Sequence, residues 1–341
     1  MIQEFIARSL DEISYFYMGS QKDAPEYGAA FGSVEEYIKR ENANDTRKFF
    51  SNPGFIPEIE FFDPVKRSTY NISKFRFDST VYTRYKKNNI VSGRYYERHG
   101  RPDLPLVILL HGWRMDSYML FDRYCRLLVK NGFNCFMPDL PYHMNRTPKQ
   151  SFAGEYTFRD DAIHTMETMR QAVFDIMSII NWANKYKNPR LIGCMGVSFG
   201  GMISGLMACV EPQLNFSVMI VPPSDLGRVF TESRLGHLFE RENPKAGRLV
   251  KKYAETMSIM ALTNQKPIVP KENIFIAEGL YDTFVPPVLI EELWRAWDRP
   301  KIKRYPHGHL SVILFNPKLE SDLRKWLKKI YYQDVNGNNN A

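Results

Sequence analysis

The sequence predicts an α/β fold, a mostly parallel sheet with helices on both faces. Two observations carry that prediction. Six short apolar runs, "LPLVILLHGW", "FNCFMPDLPYH", "LIGCMGVSFGG", "NFSVMIVPPSD", "NIFIAEGLYD" and "KIKRYPHGHL", read as strands, most of them continuous enough to be buried on both faces. Helix-like segments lie between most of them, at about 117–131, 160–186, 201–210, 288–297 and 317–331. Alternating strands and helices imply parallel strands joined by crossover helices. Ligand sites in such sheets lie beyond the C-terminal ends of the strands, and the chemically interesting residues fall there.

Taken in order, residues 1–71 form an N-terminal extension of mixed helical pattern and turns. Within it Ser33 and Glu36 make the Ser-x-x-Glu capping box that opens a helix over "SVEEYIKRENANDTRKFF". "KFRFDSTVY" and "NIVSGRYYERHG" follow as two strands joined by the turn "KKNN", a β-hairpin. Residues 72–225 make the first part of the core and 269–333 the second. Between them, residues 226–268 interrupt the alternation with helical, charged, Met-bearing sequence and are expected to form a lid over the strand ends. "PKLESDLRKWLKKIYY" places Leu319, Leu323, Trp326 and Ile330 on one stripe, as in a helix packed on a sheet. The polar tail, 334–341, is expected to be disordered.

At 341 residues, with 44% hydrophobic and 25% charged, the chain has material for one large domain with decorations. The net charge is +8, but the cations are dispersed and no nucleic-acid-reading motif is present. A solvated basic surface and no nucleic-acid partner are therefore expected, and the pairs Lys251-Lys252 and Lys328-Lys329 are read the same way. Cys125, Cys135, Cys194 and Cys209 show no CxxC spacing, which points to buried reduced thiols rather than a disulfide or zinc framework. The N-terminus carries Glu4, Asp11 and Glu12 and lacks the basic start and clean apolar run of a signal peptide. No apolar stretch reaches the roughly 18 residues of a membrane span. A cytoplasmic protein without an integral membrane segment is the expectation, and oligomeric state is not legible.

Ser198 stands in Gly196-Val197-Ser198-Phe199-Gly200, a G-x-S-x-G sequence between an apolar strand and a small-residue helix. The bare pattern arises by chance in roughly one chain of this length in ten, so the setting carries the weight. At the tip of a tight strand-to-helix turn the nucleophile has a strained backbone, and side chains two positions either side would collide. Gly196 and Gly200 remove that collision. Gly201, Gly205 and Ala208 lie on nearly one helix face and let it approach the sheet. The helix N-terminus aims N–H groups at the serine.

A serine hydroxyl near neutral pH needs a base, and the base needs an orienting acid, in the chain order Ser, Asp or Glu, His. Asp282 in "GLYDTFVPP" and His309 in "PHGHL" both follow strands. Asp225, in "VPPSD", is the reserve acid. His307 competes with His309, which is favoured because Gly308 before it frees the loop to swing the imidazole inward. An oxyanion needs two backbone donors: the N–H of Phe199 and, from the loop after "VILLHG", that of Trp113. His111 is read as a tether of that loop. In "DLPYHMNRTP", Asp139 is read as a turn-former. His143 and Arg146 are read as ordinary loop residues, with contact to a polar or anionic substrate group as the alternative.

The "HGW" loop, the "GVSFGG" elbow, the "GLYDTFVP" segment and the "GHL" histidine together resemble the α/β-hydrolase superfamily, over about residues 72–333. The resemblance implies the α/β-hydrolase fold, with a mostly parallel eight-stranded sheet whose first hairpin is its antiparallel part. By matching motif positions it supports Ser198 as nucleophile, Asp282 as acid, His309 as base, and Trp113 with Phe199 as oxyanion donors. Two departures are "PHGH", where Gly-Gly-His is more usual, and the long N-terminal segment, which has no counterpart.

The expected function is a serine hydrolase of the esterase or lipase type. It would cleave a small-molecule acyl ester through an acyl-enzyme, with no cofactor and no metal. An acyltransferase or peptidase on the same triad is the alternative, and a non-catalytic binding protein of this fold is a further one. A serine at the elbow argues against haloalkane dehalogenases and epoxide hydrolases, which place a carboxylate there. About 100 N-terminal residues are too few for the propeller of prolyl-cleaving peptidases.

Overall fold

Strands β4 (Leu106–Leu110), β6 (Ile192–Val197), β7 (Phe216–Ile220) and β8 (Ile274–Gly279) are buried at every residue. Successive side chains point to opposite faces. Val107 and Leu109 enter one apolar layer, while Ile108 and Leu110 enter the other. Both layers are apolar, so these strands read as continuous hydrophobic runs without alternation. The computed structural model describes residues 2–16, 33–158, 161–242 and 254–337.

With β1 (Glu60–Lys66), β2 (Tyr70–Asp78), β3 (Ile90–Arg98), β5 (Asn134–Pro138) and β9 (Lys301–Tyr305), these strands form a nine-stranded sheet in the order β1-β2-β3-β5-β4-β6-β7-β8-β9. Pairing is antiparallel from β1 to β5 across β2 and β3, and parallel from β5 to β9. The sheet therefore exceeds the eight expected strands by β1, which comes from the N-terminal extension. "EFFDPVK" is an edge strand, exposed at six of its seven residues, with Pro64 inside a register shift between Phe62 and Val65. An exposed edge interrupted by proline carries no burial alternation for the sequence to reveal. The β2–β3 link is also longer than the expected "KKNN" turn. It spans 79–89 and is held by the Asn89 side chain, which accepts from Thr83 N–H at 2.7 Å and donates to Thr83 O at 2.8 Å.

The described helices are α1 (Ile2–Phe16), α2 (Val34–Glu41), α3 (Thr46–Phe49), α4 (Met119–Lys130), α5 (Ala162–Tyr186), α6 (Phe199–Val210), α7 (Leu226–Glu232), α8 (Arg234–Glu242), a helical stretch over 254–258 (α9), α10 (Pro287–Ala296), α11 (His309–Leu314) and α12 (Pro317–Gly337). Side chains of α4 and α12 cover one face of the sheet, and those of α5, α6 and α10 cover the other. The capping box is present: Ser33 Oγ accepts from Glu36 N–H at 3.2 Å, and the Glu36 carboxylate accepts from Ser33 N–H at 2.9 Å. The single helix expected there is two, because the chain turns left-handed at Asn42 (φ 54°) and Asp45 caps a new start. Both pieces pack on the core through Tyr37, Phe49 and Phe50.

Helix α12 continues to Gly337, past the expected end of the core at 333, so residues 334–337 are helical rather than a disordered tail. The rest of that tail lies outside the described residues. All four cysteines are free and buried, and burial pushes the Cys194 and Cys209 thiols up to about 12. Among the described residues, no helix is long and apolar enough to cross a membrane.

The strand order positions the site. From β4 the chain steps outward to β5, then returns across β4 to β6. Between β4 and β6 the winding reverses, and a crevice opens at their C-terminal ends.

Candidate active site

At that reversal β6 turns into α6 through Ser198, whose backbone sits at φ 53° and ψ −120°. A non-glycine residue at positive φ is strained, and the surrounding packing holds it there. The Ser198 N–H is anchored on Ile220 O at 2.8 Å. A methyl group on Gly196 would lie 1.9 Å from Gly200 O, and one on Gly200 would lie 2.4 Å from Leu110 O. Neither position tolerates a side chain without moving backbone: Gly196 is dictated by the turn itself, and Gly200 by the end of β4 passing against it.

His309 opens α11 and brings its imidazole to the serine. Ser198 Oγ lies 2.9 Å from His309 Nε2, and His309 Nδ1 lies 2.7 Å from Asp282 Oδ2. A carboxylate only accepts, so Nδ1 carries the proton and Nε2 is left to accept the serine hydroxyl. Asp282 is itself fixed, since its Oδ1 accepts from the N–H groups of Phe284 and Val285, each at 2.8 Å. Burial works against a charged imidazole, but the facing Asp282 carboxylate, helped by Asp11, holds His309 above its ordinary value.

The competing residues lie elsewhere. Asp225 caps α7, accepting from Arg228 N–H at 3.1 Å and from Ser258 Oγ at 2.8 Å. His307 is half-buried and uses its backbone to join β9 to Tyr281. Gly308 has an ordinary extended conformation (φ −83°, ψ −175°), so loop freedom is not why it is glycine. A methyl group there would lie 2.8 Å from Asp11 Oδ2 and 2.9 Å from Ala7 O. The glycine admits helix α1.

Phe199 is the first residue of α6, so its N–H has no partner within the helix. The Gly112–Trp113 segment runs beside the serine, and a methyl group on Gly112 would lie 3.5 Å from Ser198 Cβ. Two buried histidines brace this segment. His111 donates from Nδ1 to Gly112 O at 2.8 Å and accepts at Nε2 from Leu140 N–H at 3.0 Å. His143 donates from Nδ1 to Pro141 O at 2.8 Å and accepts at Nε2 from Arg114 N–H at 3.1 Å. Burial pushes both below the ordinary histidine value, His143 further because His111 stands beside it. His143 is thus a brace, a role its loop position did not signal.

Arg146, the alternative anion contact, is also internal. It is fully buried, pairs with Asp175 at 2.8 Å, and donates to Asp139 O and Asn88 O, each at 3.0 Å. Asp139 accepts from Ser92 Oγ at 2.6 Å and from Asn145 Nδ2 at 3.0 Å.

Above Ser198 lies a cavity of about 240 Å³, with Trp113 and Phe199 in its wall. Apart from Ser198 and His309, its described lining residues carry no polar side chain beyond Trp113, and α7 and α8 supply Leu226, Val229, Phe230 and Leu235. Phe158 ties the wall together, with its ring 5.3 Å from Trp113, 5.1 Å from Phe199 and 5.6 Å from Phe230.

Sequence reasoning missed Asp11. This fully buried acid of α1 accepts from the N–H groups of His309 at 3.0 Å and Leu310 at 3.1 Å. In the sequence it served only, with Glu4 and Glu12, to argue against a signal peptide.

Residues 105–256 match the family model of the α/β-hydrolase fold. An uncharacterized protein of Mycobacterium tuberculosis, known from strains CDC 1551 / Oshkosh and H37Rv, is 31% identical over 229 residues, 64% of this chain and 53% of that protein. The chain thus spans about half the length of the curated relatives it matches. Acetyl xylan esterase from Paenibacillus sp. R4 superposes with a TM-score of 0.57 at 15% identity, covering 84% of this chain and 91% of that one. Acetyl xylan esterase 1 from Thermoanaerobacterium sp. JW/SL YS485 gives 0.53 at 19% identity, over 87% and 92%. The acylaminoacyl peptidase of Pyrococcus horikoshii gives 0.57 at 14% identity, over 78% of this chain and 42% of that one. At these identities the likeness to solved structures is one of fold. The matched core segment and the architecture together show that the chain has the α/β-hydrolase fold.

Proposed function

We propose that the protein is a serine hydrolase that cleaves carboxylic esters with an apolar acyl group, through a covalent acyl-enzyme. The observation that carries this reading is the unbroken line of hydrogen bonds from Asp282 through His309 to Ser198, at 2.7 and 2.9 Å, ending beneath an apolar cavity.

Ser198 Oγ attacks the ester carbonyl carbon as its proton passes to His309 Nε2. Asp282 holds the imidazole and stabilises the cation that forms. The developing oxyanion is met by the N–H groups of Phe199 and Trp113. The ester C–O bond then breaks, and His309 returns its proton to the leaving alkoxide. Water repeats the same steps on the acyl-enzyme, releasing the acid and restoring Ser198.

The cavity wall has no Asp, Glu, Lys or Arg among its described residues. Each methylene of an acyl chain buried there gains about 0.8 kcal/mol, which favours a chain over a bare acetyl group. Helices α7 and α8 act as the lid of this acyl site.

A fluorophosphonate probe tests the reading. Wild-type protein is expected to take up one label, and Ser198→Ala none. Folded wild type that stays unlabelled, or Ser198→Ala that labels equally well, removes the proposal. On p-nitrophenyl esters, kcat/KM is expected to rise from acetate to hexanoate.

A further inference from the structure

We propose that Asp11 of α1 is a positioning residue of this site, holding His309 and the Asp282 loop in register from outside the α/β core. The proposal rests on the Ser198–His309–Asp282 reading above.

One carboxylate joins the two segments that carry base and acid. Asp11 Oδ2 accepts from His309 N–H at 3.0 Å, and from the N–H and hydroxyl of Thr283 at 3.4 and 3.3 Å. Its Oδ1 accepts from Leu310 N–H at 3.1 Å. Thr283 directly follows Asp282, and His309 and Leu310 open α11. The first N–H groups of a helix have no intrahelical acceptor, and the residue before this helix is Gly308, which has no side chain to offer one. The acceptor arrives instead from 298 positions away.

Gly308 is the second, independent mark of this arrangement. Its backbone angles suit any residue, yet a methyl group would collide with both Asp11 and the Ala7 carbonyl. The chain thus keeps a glycine next to the base so that α1 can lie against it.

Asp11 also acts through charge. Among the described residues, titratable groups facing it are Asp282, from the β8–α10 loop, and His309, from α11. Burial and the Asp282 charge push its carboxyl up, while the imidazole and the two N–H donors pull it down. As a carboxylate it adds to Asp282 in favouring the imidazolium that forms when Ser198 attacks. A cap that served packing alone would leave the titration of His309 untouched.

The test uses the full chain with Asp11→Asn and Asp11→Glu. Turnover of p-nitrophenyl hexanoate is followed across pH 5–9 and expressed per fluorophosphonate-titrated site, so that unfolded protein is not counted. Asp11→Asn is expected to lose about tenfold in kcat/KM, mostly in kcat. Its acid limb is expected to move lower by on the order of half a pH unit, and Asp11→Glu to recover part of both. Gly308→Ala, which leaves the carboxylate intact but crowds α1, is expected to shift the profile the same way. An unmoved acid limb with wild-type kcat per site overturns the proposal, even if Asp11→Asn lowers the melting temperature. Wild-type protein that takes no label overturns the catalytic reading itself, and the role of Asp11 with it.

Discussion

Asp282 and Asp225 follow neighbouring strands, yet only Asp282 faces His309. Its Oδ2 lies 2.7 Å from Nδ1, whereas Asp225 caps α7 and holds Ser258 Oγ at 2.8 Å. The two acids should therefore separate cleanly by mutation. Asp282→Asn keeps the shape but donates where it must accept, and is expected to cut kcat by roughly 10⁴. Asp225→Ala is expected to keep turnover within a few-fold while losing a helix cap, about 1 kcal/mol of stability. Ester hydrolysis and urea unfolding of both variants check this.

The pH dependence follows from the raised pKa of His309. In the proposed mechanism His309 must be neutral to take the serine proton. kcat/KM is therefore expected to fall as pH drops through a value above the ordinary histidine figure of about 6.5. The linked stability has the opposite sign. Protonated His309 is favoured in the fold, so its contribution is fully present below about pH 6.5 and is lost as pH rises through the folded value. A pH–rate profile and melting temperatures over the same range check both.

Arg146 should be a stability residue rather than a substrate contact. Burial pushes Asp175 up, and Arg146 with Ser79 pulls it back down. Arg146→Ala leaves that carboxyl buried without its cation, and is expected to cost about 3–5 kcal/mol. KM per folded site should not change. Replacing the pair together by Met and Leu is expected to recover much of the loss, as urea unfolding would show.

Chain-length preference should respond to the cavity wall. Phe230 of α7 packs its ring 5.6 Å from Phe158. Phe230→Ala lengthens the apolar space, so kcat/KM for a dodecanoate ester should rise several-fold relative to hexanoate. A ratio unchanged across the ester series would place the acyl chain elsewhere.

Local pattern carried much of this protein. Burial on both faces of β4, β6, β7 and β8 leaves unbroken apolar runs, and a strained turn leaves Gly196 two positions before Ser198, a constraint that acts within a few residues of chain. Edge strand β1 left no such mark, since exposure and Pro64 erase the alternation. Neither did the two-part helix broken at Asn42, where the capping box sets a start but not an end.

What the sequence by itself determined is the α/β architecture, the elbow, and the order in which a serine, an acid and a histidine could meet. Only the tertiary structure decided which acid and which histidine did meet, because Asp225 and Asp282, and His307 and His309, satisfy the same local rules. It also decided the purpose of Gly308 and the place of Asp11. A carboxylate bound to N–H groups 298 and 299 positions away is chosen by packing in space, and no spacing along the chain records it.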